Sequence, residues 1–100
     1  MATKIFIWDH DEHEMGDFIF LNEDETIKIS KESAKHSLQC LSFLDYVGYT
    51  VFNNIQIEEI KIELQLLRKD QDIQENLKEI EKIILQIPKD NAYYLVFEGE

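Results

Sequence analysis

Directly after a short apolar run, the chain carries Asp9-His10-Asp11-Glu12-His13-Glu14, the stretch whose residue types could hold a metal ion. Imidazole nitrogens and carboxylate oxygens suit Zn²⁺, Ni²⁺ or Mn²⁺. The spacing matches no mechanistic motif. A zincin needs His-Glu-x-x-His on a helix, whereas His10-Asp11-Glu12-His13 falls in an expected loop. No Asp-x-Asp-x-Asp-Gly ladder of a calcium loop follows. The plainer reading is a solvated acidic loop. No metal or other cofactor is expected, and a metal-binding protein or small enzyme using His10 and His13 is the alternative.

Nucleophiles fare no better. Ser30, Ser33, Ser37 and Ser42 lie in or at the start of an expected helix, and none sits in a Gly-x-Ser-x-Gly elbow. Cys40 has His36 four residues before it, so one helix face could hold a thiolate pair. Cys40 also borders an apolar stripe, where a cysteine behaves as a small hydrophobe. Gly16, Gly48 and Gly99 each stand alone, so no glycine-rich phosphate loop exists. An acid pair with split pKa values needs a dry pocket, and the carboxylates here run in polar clusters. The chain is expected not to be an enzyme.

Charge is the larger signal. The 100 residues carry 21 acids against 10 Lys and Arg, a formal net charge of −11. Between Asp9 and Glu25 stand Asp9, Asp11, Glu12, Glu14, Asp17, Glu23, Asp24 and Glu25, with no Lys or Arg among them. Such a field repels nucleic acid and anionic membrane and attracts basic proteins. The basic residues never cluster beyond Arg68-Lys69, which also argues against nucleic-acid binding. Trp8 borders the acidic run, and a Trp with a charged rim is the composition of a binding hot spot. The expected partner-binding residues are therefore Trp8, Asp9, His10, Asp11, Glu12, His13, Glu14, Asp17, Glu23 and Asp24. Two plainer readings stand beside this one: acidity that serves solubility, and a Trp that closes the core edge.

The elements that must position these residues follow from periodicity. Residues 4–8 are β-branched and aromatic and read as a buried strand; residues 9–16 form a loop. Residues 17–21 and 26–29 read as a second and third strand joined by the polar 22–25 connection. Phe6, Phe18, Phe20 and Phe97 fit strands as core. Ser30 can cap a helix running to about residue 47, with Ala34, Leu38, Cys40, Leu41, Leu44 and Val47 as its stripe. Phe43 and Tyr46 fall outside that stripe, and Gly48 suits its end.

Residues 50–69 lack Gly and Pro and read as one helix with two apolar stripes, although 60–66 alternate as a strand would. Ile57, Ile60, Leu64 and Leu67 share one face; Val51, Ile55, Ile62 and Leu66 share the other. Residues 72–87 form a helix with Asp70 or Asp72 as cap, residues 88–91 a turn, and residues 93–97 a last strand. The fold expected is α+β in the order βββαααβ. Three N-terminal strands and one C-terminal strand form a small antiparallel sheet covered by three helices.

One domain spans 1–100. A single cysteine rules out an internal disulfide, and no stretch approaches the ~20 apolar residues of a membrane helix. The chain reads as cytoplasmic, and as a monomer or weak homodimer.

The run Thr50-Val51-Phe52-Asn53-Asn54-Ile55-Gln56, continuing to Ile60, Glu63-Leu64 and Leu67, resembles small acidic bacterial immunity proteins. So does the ending Tyr94-Leu95-Val96-Phe97-Glu98-Gly99-Glu100. Such proteins protect bacteria from contact-dependent inhibition and related polymorphic toxins. The likeness spans the second half of the chain through structural motifs and transfers no functional residue. It implies an immunity protein, an antitoxin for a cognate toxin; the acidic run adds that the toxin domain is basic and is neutralised by blocking its active cleft, with a nuclease effector the fitting case. A phage-type nucleic-acid mimic acting on a nuclease is the neighbouring alternative.

Overall fold

Alternation of side chains along each strand gives this sheet two unlike faces. The computed structural model describes residues 2–45, 47–89 and 92–99. Its elements are β1 (Ala2–Trp8), β2 (Glu14–Asn22), α1 (Glu23–Lys35), a 3₁₀ turn (Leu41–Phe43), β3 (Tyr49–Phe52), α2 (Asn54–Leu67), α3 (Gln74–Ile84) and β4 (Tyr94–Gly99). The class is α+β, as expected, with four antiparallel strands in the order β2-β1-β4-β3. The last strand returns to pair with β1. The chain order differs from βββαααβ, because one strand lies between the first two helices.

The expected third strand at 26–29 is helix. Asn22 accepts the Glu25 N–H at 2.8 Å, and the Glu25 carboxylate accepts the Asn22 N–H at 2.8 Å. This capping box satisfies two backbone donors that a helix start leaves open. The alternation of Thr26-Ile27-Lys28-Ile29 is overridden, and Thr26, Ile29, Ser30 and Ser33 become the buried face of α1. The expected helix 30–47 therefore stops at Lys35. Ser37 turns left-handed at φ 56°, the Ser37 N–H bonds Ala34 O, and the Leu38 N–H reaches back to Ser33 O. That is a Schellman ending with serine in place of the usual glycine. Leu38, Cys40, Leu41 and Leu44 still enter the core, from a loop and a 3₁₀ turn.

The expected helix 50–69 divides at Asn53. Its side chain accepts the Gln56 N–H and the Gln56 side chain accepts the Asn53 N–H, a second capping box. Val51 consequently belongs to β3. On α2, Ile57, Ile60, Leu64 and Leu67 are buried as expected, while Ile55, Ile62 and Leu66 face outward. In the last helix Ile73, Leu77, Ile80 and Ile84 are buried, and neither Asp70 nor Asp72 caps it; Ile73 occupies that position. Tyr46, Asp90, Asn91 and Glu100 lie outside the described residues.

Ile5 and Ile7 of β1, Leu21 of β2, Phe52 of β3, and Leu95 and Phe97 of β4 meet Ile29, Ile60, Leu64, Leu77 and Ile80 from the helices. All three helices thus serve one face of the sheet, and none of them covers the other. Burying a core side chain of this size stabilises by about 1.5–3 kcal/mol.

Candidate functional site

Directly paired residues of neighbouring strands point to the same side of a sheet. Lys4 pairs with Phe20 and Glu98, Trp8 with Glu14 and Tyr94, Phe6 with Val96, and Tyr49 and Val51 with Glu98 and Val96. The face turned from the helices therefore carries Phe6, Trp8, Phe18, Phe20, Tyr49 and Tyr94, with Val51 and Val96. Phe18, Phe20 and Tyr49 remain 50%, 53% and 57% exposed. Phe18 and Phe20, expected in the core, are instead surface aromatics.

The rings form two groups, and Lys4 bridges them. Phe18 meets Phe20 edge-on at 5.5 Å, Phe6 meets Trp8 edge-on at 5.8 Å, and Trp8 lies 5.8 Å from Tyr49. The Lys4 ammonium sits 4.8 Å from both the Phe6 and Phe18 centroids and 2.7 Å from Glu14 Oε1. At the β3 edge, Tyr49 donates its hydroxyl to Glu98 Oε2 at 3.0 Å, and this bond is what most raises the phenol's pKa. Exposed aromatic side chains such as Phe18 and Phe20 on β2 and Tyr49 on β3 suit an interaction site.

The acidic hairpin opens at one end of this face. Trp8 closes β1, and residues 10–12 form a three-residue loop whose last member, Glu12, is left-handed at φ 61°. The Asp9 N–H bonds His13 O at 2.9 Å. Asp9 Oδ1 accepts the N–H groups of Asp11 at 2.9 Å and His13 at 3.0 Å. The His13 N–H is the main cause that holds the Asp9 carboxyl below its ordinary pKa, with smaller help from the Asp11 N–H and the two histidines. Asp11, Glu12 and His13 are exposed around this knot.

The expected partner-binding residues do not all gather there. Trp8, Asp9, His10, Asp11, Glu12, His13 and Glu14 share one end of the β1–β2 hairpin. Asp17 sits on β2 and is engaged by Gln86: the Asp17 N–H donates to Gln86 Oε1 at 2.9 Å, and Gln86 Nε2 donates to Asp17 Oδ2 at 3.1 Å. The neighbouring Gly16 has φ 70°, and a Cβ there would lie 2.6 Å from Gln86 Oε1. Glu23 and Asp24 stand in the first turn of α1, at the far end of the nine-residue β2. There they complement the helix dipole.

Asp9, Asp11 and His13 can bring one ligand atom each within 4.8 Å of one another, so these three could hold a cation; His10 is not of that group. His10 Nε2 instead lies 3.3 Å from Asp11 Oδ2. The pairing of His36 with Cys40 on a helix face does not occur, since α1 ends before both. Cys40 is buried, its thiol pushed up to about 11 first by burial and then by the Glu63 carboxylate. The cleft beside it is lined by Ser37, Leu38, Gln39, Ile55, Gln56 and Glu59, with no histidine. A thiol so protonated is a poor nucleophile.

Among the described residues, no helix is long and apolar enough to cross a membrane. No family model, no curated protein and no solved structure matches the chain.

Proposed function

We propose that the chain is a binding protein that captures and neutralises a basic protein partner, in the manner of the immunity proteins it resembles. A toxin domain of nuclease type is the fitting target. A nuclease holds a polyanion, so its cleft is basic, and an acidic surface seated on that cleft excludes substrate. The observation that carries the reading is the junction of the acidic hairpin with the open aromatic face at Trp8. Exposed rings can supply desolvated contact, while the charges of Asp11 and Glu12 steer a basic surface toward it. The role is non-catalytic and suits a cytoplasmic protein.

Affinity capture from the native cell tests this, followed by assay of the captured protein's own activity with and without the purified chain. The expected result is a basic protein whose nuclease or other toxic activity is lost on binding. An acidic or neutral partner, or a basic partner whose activity is untouched, would overturn the reading. Metal binding is favoured only by the approach of Asp9, Asp11 and His13. Calorimetry with Zn²⁺ and Ni²⁺ decides it, and no heat and no melting shift would dismiss it.

A further inference from the structure

We propose that Trp8, Tyr49 and Glu98 on the open sheet face form a seat for a cationic side chain of the protein partner, an arginine or lysine. This rests on the basic-partner reading above and says where, and by what chemistry, such a partner is held. The same face already contains one such arrangement, filled from within. Lys4 places its ammonium 4.8 Å from two ring centroids, those of Phe6 and Phe18, and closes a 2.7 Å ion pair with Glu14. Two rings and a carboxylate thus hold a cation on the β2 side of the sheet. The negative face of each ring and the carboxylate act together on the charge.

On the β3 side the ring-and-carboxylate set repeats. Trp8 and Tyr49 lie 5.8 Å apart and 33° from parallel, and Glu98 is fixed beside Tyr49 by the phenol hydroxyl at 3.0 Å. Among the described residues no Lys, Arg or His forms an ion pair with Glu98. Tyr49 is more than half exposed, and Trp8 and Glu98 are half-buried beneath the same face. Arginine suits it best, because a guanidinium plane stacks on a ring while its edge pairs with a carboxylate. A sheet face rich in aromatics can also stack nucleic-acid bases. That occupant is opposed by the net charge of −11 and by the engagement of Lys4, the cation on this face, with Glu14. A second copy of the chain would bring the same acidic hairpin to the same end of the face.

The test is an NMR titration of the full chain with a short amidated peptide alternating arginine and leucine. The same peptide with citrulline in place of arginine, and a short single-stranded RNA, are run beside it. The expected result is shifts of the Trp8 indole and of Tyr49 and Glu98 with the arginine peptide, weakened about tenfold or more by Glu98→Gln and by Tyr49→Leu. Both substituted positions are surface sites, and the unchanged remainder of each spectrum reports that the fold is intact.

Shifts confined to residues 9–13 would overturn the seat and leave the basic-partner reading standing. Equal binding of the citrulline peptide at the face would overturn both, since the cation would then be irrelevant. Shifts at these residues on concentrating the chain alone, or on adding RNA, would overturn the seat by naming another occupant. No shift with any peptide would overturn it as well.

Discussion

Trp8 of β1 and Tyr49 of β3 bring their rings to 5.8 Å although a whole strand, β4, lies between them. Neighbouring strands stand about 4.8 Å apart, so the two backbones are separated by about twice that distance. Val96 on the intervening strand belongs to this face, yet it is fully buried. The face is therefore two layers thick at its centre, where Val96 forms an apolar floor beneath the Trp8–Tyr49 contact. Such a surface is largely pre-formed, which reduces the ordering cost of binding.

Phe18→Ser and Phe20→Ser remove half-exposed rings that the helical core does not use. Each is expected to change folding stability by less than about 1 kcal/mol. In the complex with the captured partner, the double variant is expected to raise the dissociation rate by about 30-fold, as loss of a ~2 kcal/mol hot spot would. Urea unfolding and surface plasmon resonance check the two halves of this statement. An unchanged dissociation rate would remove these rings from the interface.

Glu63 is fully buried on α2, and its carboxylate accepts the N–H groups of Cys40 at 3.0 Å and Leu41 at 2.9 Å. It thereby anchors the loop that follows α1, whose apolar residues complete the core. Glu63→Ala leaves two buried donors unsatisfied and is expected to cost about 2–4 kcal/mol. Glu63→Gln keeps one acceptor and should cost less. The midpoint of urea unfolding, at unchanged slope, measures both.

The Cys40 thiol has its pKa raised from 9.0 to about 11 by burial and by Glu63. The unfolded chain loses this proton first as pH rises. Its stabilising contribution is complete below about pH 9 and is lost as pH rises through about 11. Cys40→Ala is expected to lack that part of the alkaline decline, and iodoacetamide should label the native thiol slowly at pH 8. Parallel alkaline unfolding profiles for the two proteins would contradict this.

The Asp9 carboxyl is lowered below 3.8, chiefly by the His13 N–H it accepts. A depressed folded-state pKa contributes stability above the ordinary carboxylate range and loses it as pH falls through the lowered value. Protection of the Asp11 and His13 amides against hydrogen exchange is expected to fall in that acid window. Asp9→Ala is expected to abolish it at all pH values, with the sheet intact. Equal protection in the variant would show that the loop holds itself without this side chain.

The fold was legible where one apolar face dominates, as in β1, α3 and the buried stripe of α2. It was misread where short alternating runs compete with a cap. Asn22-x-x-Glu25 and Asn53-x-x-Gln56 are both capping boxes, so the signal that places α1 and ends β3 lay in the sequence. The Schellman turn at Ser37 could not be read, because a serine gives no local cue for a left-handed residue. At the candidate site, the acids and Trp8 were legible from composition. The open aromatic face was not: Phe18 and Phe20 look like core until the sheet order shows that the helices cover only the opposite side.

The most direct test of acid-steered capture is the pair of rate constants for the captured partner, measured at low and high salt with the wild-type chain and with Asp11→Asn/Glu12→Gln. The expected outcome is a wild-type association rate that falls as salt shortens the Debye length, about 10 Å at 0.1 M, and a variant that associates more slowly with a flatter salt response. Its dissociation rate should be nearly unchanged. Association rates that ignore both salt and the loss of these two charges would contradict the account.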